Sequence, residues 1–359
     1  MNIKTLILRA KLRRFLFYPL FIIVTYLFYV YPFRTLNSMI TDDKILNFNS
    51  FVVSLFFSAL IIYNSKSKNT FFFSKLLIYE GLGIGFISFW IVNLGLFINI
   101  FNFIESYNLG IVCILIILIL TLLSFYNGSK INIKKLNVYS SKLKKPLKLI
   151  FLSDIHLGTN TIEHLEKIYK KIIKLEFDFI LVGGDLIDSS SFELKDLKVL
   201  KNLKKPIYFI SGNHEYYIKN YQEKLDKLNE YNINFLDNKS IKYKNINIIG
   251  VSDNQSTLNQ TETVNKFYKP NLFNLVVVHK PTLWKFINKQ IDLTLSGHTH
   301  NGQIVPFNFL VKLRFRNIYG LYEKFQSKLY VSCGVGCWGP RMRLGSTNEI
   351  VLLSISNQA

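Results

Sequence analysis

Cysteine is scarce in this chain, three residues in 359, and its placement excludes the chemistry it usually serves. Cys113 lies inside a long apolar run, while Cys333 and Cys337 have neither the spacing nor the partners of a zinc site. Free thiols instead fit a reducing cytoplasm. Acidic residues are also few: 23 Asp and Glu against 44 Lys and Arg, a formal charge of +21. The deficit is uneven, with 17 basic and four acidic residues up to Lys148 and 27 against 19 beyond it. The longest apolar runs lack charge almost entirely, with Glu80 and Glu105 only near their ends. Transport normally needs ionisable groups within the spans, so a transporter or sensor built on these runs is disfavoured. No internal repeat is present, and no low-complexity tract beyond one lysine-rich stretch.

What is abundant is apolar and aromatic. The hydrophobic share is 49%, with 31 Phe, and it concentrates before residue 127. Four runs, roughly Phe15–Phe33, Phe48–Tyr63, Gly81–Phe103 and Leu109–Tyr126, approach the ~20 residues that cross a bilayer. The second is the shortest, and Lys75 and Glu80 place the start of the third after them. Lys4, Arg9, Lys11, Arg13 and Arg14 precede the first run, Lys66 and Lys68 follow the second, and seven lysines from Lys130 to Lys148 follow the fourth. The alternate loops carry Arg34, Asp42, Asp43 and Lys44, then only Glu105. The positive-inside rule therefore predicts cytoplasmic termini and an even number of spans. The lysines of 129–146 read as a basic linker facing anionic lipid rather than as a nucleic-acid site.

From residue 147 the pattern changes to apolar strands alternating with charged helical stretches. Strands are predicted at Leu147–Ser153, Phe177–Val182 and Pro206–Ser211, with helical spacing over Thr159–Lys174, Phe192–Leu203 and Tyr217–Tyr231. Shorter strand signals follow at Ile233–Leu236, Ile241–Tyr243, Ile246–Val251, Leu272–Val278, Leu293–Ser296, Lys328–Ser332 and Glu349–Ile355. Strand–helix alternation argues for βαβ units on a central sheet. Ligands of such sheets gather beyond the carboxyl ends of the strands.

Five of the six histidines fall at those ends. The stretches are Asp154-Ile155-His156, Gly184-Asp185-Leu186-Ile187-Asp188, Gly212-Asn213-His214-Glu215, Val278-His279 and Gly297-His298-Thr299-His300. Residues two apart along a strand point the same way, so Asp154 with His156 can grip one cation; a bend could aim His298 and His300 at different ones. Carboxylate, carboxamide and imidazole donors without thiolate suit manganese, iron or zinc. Asp185 could bridge two ions.

These five blocks, in this order over 147–355, resemble the calcineurin-like metallophosphoesterases. The tail Gly334-Val335-Gly336-Cys337-Trp338-Gly339-Pro340-Arg341-Met342-Arg343 is similar to the bacterial membrane-associated branch. The resemblance implies an αββα sandwich over 147–359, behind a transmembrane helical domain over 1–128. It implies one ion held by Asp154, His156, Asp185 and His300, and a second by Asp185, Asn213, His279 and His298. Both would be divalent, manganese foremost with iron, zinc or magnesium as alternatives, and would activate water for attack on phosphorus. His214 would be the catalytic imidazole, and Asp188 would orient His214 or a metal ligand. Glu215 is expected to be structural, and His164 to lie on a solvated helix face. Arg341 and Arg343 could grip a substrate phosphate bidentately.

Several members of the family are similar to UDP-2,3-diacylglucosamine diphosphatases, which release UMP and a lipid monophosphate at the cytoplasmic face of the inner membrane. The expected partners are therefore the membrane and a phospholipid or nucleotide–glycolipid substrate, with no nucleic acid. A broad membrane-bound phosphodiesterase is the alternative. The segment from Pro306 to Arg316 mixes Phe and Leu with Lys and Arg, as a lipid-dipping element beside the metals would.

Overall fold

The computed structural model describes residues 19–41, 48–66, 72–101, 103–190, 192–287 and 291–357. The basic residues expected before the first span, and Asp42, Asp43, Lys44 and Lys68, lie outside these. The chain divides into two compact units, Met1–Ser124 and Phe125–Ala359.

The first unit is helical. Its helices are α1 (Pro19–Thr41, with a turn at Val30), α2 (Phe48–Lys66), α3 (Phe72–Asn99) and α4 (Ser106–Ser129), the last running past the division. Leu36, Val92, Leu109, Cys113 and Ile117 form its buried contact. A Cβ at Gly85 would overlap the carbonyl of Phe28, so glycine is what lets α1 and α3 approach this closely. Leu115, Leu118, Ile119 and Leu122 face outward, exposed. Such a surface is stable against hydrocarbon and not against water. Among the described residues three helices are long and apolar enough to cross a membrane: Pro19–Thr41, Leu76–Asn99 and Ser106–Ser129. The expected fourth is corrected: the apolar part of α2 is only Asn49–Tyr63, short of the ~20 residues a span requires. The parity argument from an even count falls with it.

The second unit holds two six-stranded sheets, in the orders β1-β12-β2-β3-β4-β5 and β10-β11-β9-β8-β7-β6. In the first, β2 (Leu147–Leu152), β3 (Phe179–Gly183), β4 (Ile207–Ile210) and β5 (Ile233–Phe235) run parallel. In the second, β7 (Ile246–Val251), β8 (Phe273–Val278), β9 (Leu293–Ser296) and β11 (Ser327–Val331) run parallel, with β6 (Lys239–Tyr243) and β10 (Gly320–Lys324) antiparallel at the edges. Alternation along each strand sorts the side chains. Leu149, Phe151, Phe179 and Leu181 meet Ile248, Leu275, Val277 and Leu295 between the sheets. Ile150, Leu152, Ile180 and Val182 pack outward under α5 (Ile162–Ile172), whose Leu165, Ile168 and Ile172 are buried. Ile249, Val251, Val276 and Val278 pack under α7 (Thr257–Phe267) through Val264. Sheets covered on both faces need continuous apolar strands, and the result is the expected four-layer sandwich.

The basic linker is also corrected. Residues 131–139 form β1 (Ile131–Tyr139), paired in parallel with β12 (Asn348–Ser356) from Ile131 opposite Asn348 to Tyr139 opposite Ser356. Leu136 and Val138 are buried while Lys134 and Lys135 face solvent. Lysine on an edge strand blocks further strand addition, so the charge that reads as a linker protects an edge. Helical spacing over Tyr217–Tyr231 resolves into one short helix, α6 (Tyr221–Asp226), between two 3-10 turns.

Candidate metal centre

The site forms where the parallel strands end. Asp154 and His156 follow β2, Asp185 follows β3, Asn213 and His214 follow β4, His279 follows β8, and His298 and His300 follow β9. Five of these residues hold left-handed backbone: Asp154 (φ 55°), His156 (51°), Asp185 (53°), His298 (72°) and His300 (48°). Such a conformation costs a non-glycine residue ~1–3 kcal/mol, and backbone bonds hold it. Asp154 N–H donates to Gly184 O at 3.0 Å and His156 N–H to Asp185 O at 2.9 Å, tying the β2 and β3 ends together. Glycine at 212 leaves room for Asp185, whose Oδ1 would lie 2.1 Å from an added Cβ.

Asp185 is at the centre. Its Oδ2 lies 3.0 Å from His279 Nε2, 3.8 Å from His156 Nε2 and 3.9 Å from His214 Nε2, and its Oδ1 accepts the His214 backbone N–H at 2.9 Å. Three groups with metal-ligand proximity occur among the described residues, Asp154–His156–His300, His156–Asp185–His214 and Asp185–His279–His298, and Asp185 belongs to two of them. Two pairs of imidazole nitrogens face each other at 3.2 Å: His156 Nε2 with His300 Nε2, and His298 Nδ1 with His279 Nε2. The bend expected at Gly297–His300 is present and sends its two histidines to different groups. Asn213 Oδ1 is buried without a hydrogen-bond partner, as a carboxamide oxygen left for a cation would be.

The outward nitrogens fix how the rings point. His279 Nδ1 donates to Gly183 O at 2.9 Å, and His156 Nδ1 faces Asp188 Oδ2 at 3.3 Å. Each leaves Nε2 directed inward, the usual arrangement behind a metal-bound imidazole. Asp188 is itself held by the backbone N–H and hydroxyl of Thr159. Of the two orienting roles open to it, the geometry sets Asp188 behind the ligand candidate His156, with Oδ2 3.3 Å from Nδ1. Glu215 is fully buried and accepts backbone N–H groups of Gly212 (2.7 Å), Ile187 (2.9 Å) and Asp185 (3.1 Å), a structural role. His214 packs edge-on to His156 and against Tyr217 and Trp338.

Electrostatics suit a cation. Burial alone would raise the Asp185 carboxyl, but the imidazoles of His279, His156 and His214 hold it well below the usual range. Burial lowers His279, yet the Asp185 carboxylate overcomes this and pushes it up to about 10. Burial and then His279 bring His298 down to about 2, and burial with the Arg343 charge holds His300 well below its ordinary value. Burial and the Asp185 charge push Glu215 up to about 8. A proton is thus held between Asp185 and His279, where a cation would bind, and the donor set of carboxylate, carboxamide oxygen and imidazole fits divalent ions.

Two further expectations change. Arg343 does not reach a substrate: it is fully buried, its Nη2 donating to Gly336 O (2.6 Å) and Cys333 O (2.7 Å) and its Nη1 to His300 O (2.8 Å). It buttresses His300 from behind. Arg341 is exposed. His164 is not on a solvated face but tucked inward, Nε2 2.8 Å from Val335 O. The sequence sets the Pro306–Arg316 segment beside the metals without singling out Phe315, whose ring lies 5.1 Å from that of His298, or Trp338 as a neighbour of His214. An aromatic following a metal motif was the available signal.

Residues 147–302 match the family described as calcineurin-like phosphoesterase. A metallophosphoesterase of Helicobacter pylori (strain ATCC 700392 / 26695) is 34% identical over 250 residues, covering 66% of this chain and 67% of that protein. One from Aquifex aeolicus is 30% identical over 243 residues, 64% of this chain and 93% of that protein. A Bos taurus protein named as a transmembrane protein with metallophosphoesterase domain is 31% identical over 232 residues, 58% of this chain and 52% of its own length. By this likeness the chain belongs to the calcineurin-like metallophosphoesterases, a family of metal-dependent phosphoester hydrolases.

Proposed function

We propose that this protein is a membrane-anchored, dinuclear phosphohydrolase whose substrate is carried by a lipid. The observation that carries the reading is Asp185, whose carboxylate lies between two ligand groups with Oδ2 3.0 Å from His279 and 3.8 Å from His156. Asp154, His156, Asp185 and His300 would hold one ion, and Asp185, Asn213, His279 and His298 the other, manganese foremost. When bound, such ions activate water and take up charge developing on the phosphoryl oxygens.

The chain's own groups do the rest. Gly183 O keeps His279 in the tautomer that presents Nε2, and the Asp188 carboxylate, 3.3 Å from His156 Nδ1, would favour the same tautomer of His156. Burial pulls His214 below its ordinary pKa. An arriving phosphoryl anion would act in the opposite sense, and the reading gives His214 the role of proton donor to the leaving oxygen. Arg341, the exposed member of the expected pair, is the one this reading keeps for substrate phosphate.

The anchor supports a lipid substrate, and the lysines after α4 support a cytoplasmic catalytic unit on an inner membrane. UDP-2,3-diacylglucosamine, cleaved to UMP and a lipid monophosphate, is the substrate this reading names. The second reading is a broad membrane-bound phosphodiesterase; the bovine relative, with both a transmembrane and a metallophosphoesterase part in its name, supports the membrane anchor that both readings share. The test is UMP release from UDP-2,3-diacylglucosamine against hydrolysis of a small phosphodiester, using detergent-purified protein with Mn²⁺. Fast UMP release with poor diester turnover supports the first reading; the reverse establishes the second.

A further inference from the structure

Helix α8 (Phe307–Arg314) buries none of its residues. Phe309 is 64% and Leu313 84% exposed, and Leu310 beside them is exposed too. At 100° per residue these three lie within one stripe of the helix. Other surface helices of this unit turn their apolar stripe to a sheet, as α5 does with Leu165, Ile168 and Ile172. The stripe of α8 has no such cover among the described residues. Lys312, Arg314 and Arg316 stand exposed along the same segment.

The helix is mounted firmly beside the metal centre. A Cβ at Gly302 would lie 2.3 Å from Asn308 Cα, so α8 packs directly on the turn that carries His300. At its other end Phe315 places its ring 5.1 Å from His298. Trp338, 56% exposed, packs against His214.

We propose that α8 is an interfacial helix that seats on an anionic lipid surface, with Phe309, Leu310 and Leu313 in the acyl boundary and Lys312, Arg314 and Arg316 on lipid phosphates. Apolar side chains flanked by cations match a leaflet that offers both hydrocarbon and negative charge. A second copy of the chain fits less well, because each copy carries +21 and pairing the helices would juxtapose like charges. The contact does not depend on which phosphoester is cleaved. It deepens the lipid-substrate reading by placing a lipid surface next to His298 and His300.

The three native cysteines are buried, so a single introduced thiol can carry a spin label. Full-length Leu313→Cys, metal-loaded and reconstituted in vesicles of phosphatidylcholine with phosphatidylglycerol, is labelled and its collisions with oxygen and with a neutral nickel chelate are measured. Leu258→Cys on α7, at a residue 69% exposed, provides the solvent reference, and Phe309→Cys a second reading on α8. The expected result is an oxygen-to-nickel collision ratio several-fold above the reference at both α8 positions. It should fall when phosphatidylglycerol is omitted. A ratio equal to the reference would leave α8 in water and overturn the proposal. Exclusion of both reagents would overturn it in favour of a protein cover, whatever the substrate proves to be.

Discussion

Asp185 and Asp188 are three residues apart and do different work, and the geometry separates them. Asp185 faces both ligand groups, so Asp185→Asn should lose both ions and nearly all turnover with the fold retained. Metal content by mass spectrometry and far-ultraviolet circular dichroism check this. Asp188 touches His156 only from behind. Loss of such an outer partner typically costs ~10–100-fold in metal affinity, so Asp188→Asn should regain near-normal kcat at raised metal concentration. A kcat that stays low at saturating metal would show that Asp188 acts in catalysis and not only in holding His156. His214→Ala is the converse case: metal is kept while kcat falls by ~10²–10⁴. His164 supplies a pH test away from the ions. Burial lowers its pKa from 6.5, so the unfolded chain takes up this proton before the folded one does. The wild type therefore loses stability as pH drops through 6.5, and His164→Gln does not. The stability difference between them, by urea titration, should shift against the wild type between pH 7 and 5.

At the scale of elements, β1 is the clearest departure from the sequence reading. Its burial pattern has Leu136 and Val138 inward, two apolar positions among lysines, too weak a period to announce a strand. The partner that makes it one, β12, lies more than two hundred residues away. Hydrogen exchange distinguishes the two descriptions: amides of β1 bonded to β12 should exchange with the slow core, whereas a linker would exchange within seconds. The strands of the site were legible because both faces of each are covered, which leaves unbroken apolar runs such as Phe273–Val278. Helix α8 was legible only as composition. Nothing in Phe307–Arg314 says whether its leucines are covered, since that depends on neighbours distant in sequence. Arg343 was misread for a related reason. An arginine near a catalytic tail resembles a phosphate clamp until the carbonyls of Cys333, Gly336 and His300 close around it.

For the whole molecule, the ligand residues at the ends of both sheets are strained in backbone and crowded in charge, and a bound cation relieves the second of these. His279, held protonated up to about 10 by Asp185, has its Nε2 3.0 Å from that carboxylate, where a cation would otherwise be. His298 and His300 are already neutral and have no proton to give. Imidazole binds metal only when neutral, so filling both sites near pH 7.5 should release at least about one proton per chain, from His279, with His156 adding to it because, against burial, Asp188, Asp185 and Asp154 raise its pKa. Titration calorimetry of the chelator-stripped protein with Mn²⁺, in buffers of different ionisation enthalpy, reads that number directly. The same linkage makes affinity rise with pH, approaching tenfold per unit for one proton. Saturation at ~100 times Kd should stabilise the fold by about 2.7 kcal/mol per site, seen as a higher Tm. Heats independent of buffer, with affinity flat between pH 7 and 8, would show that His279 is already neutral and that the charge around Asp185 is balanced in another way.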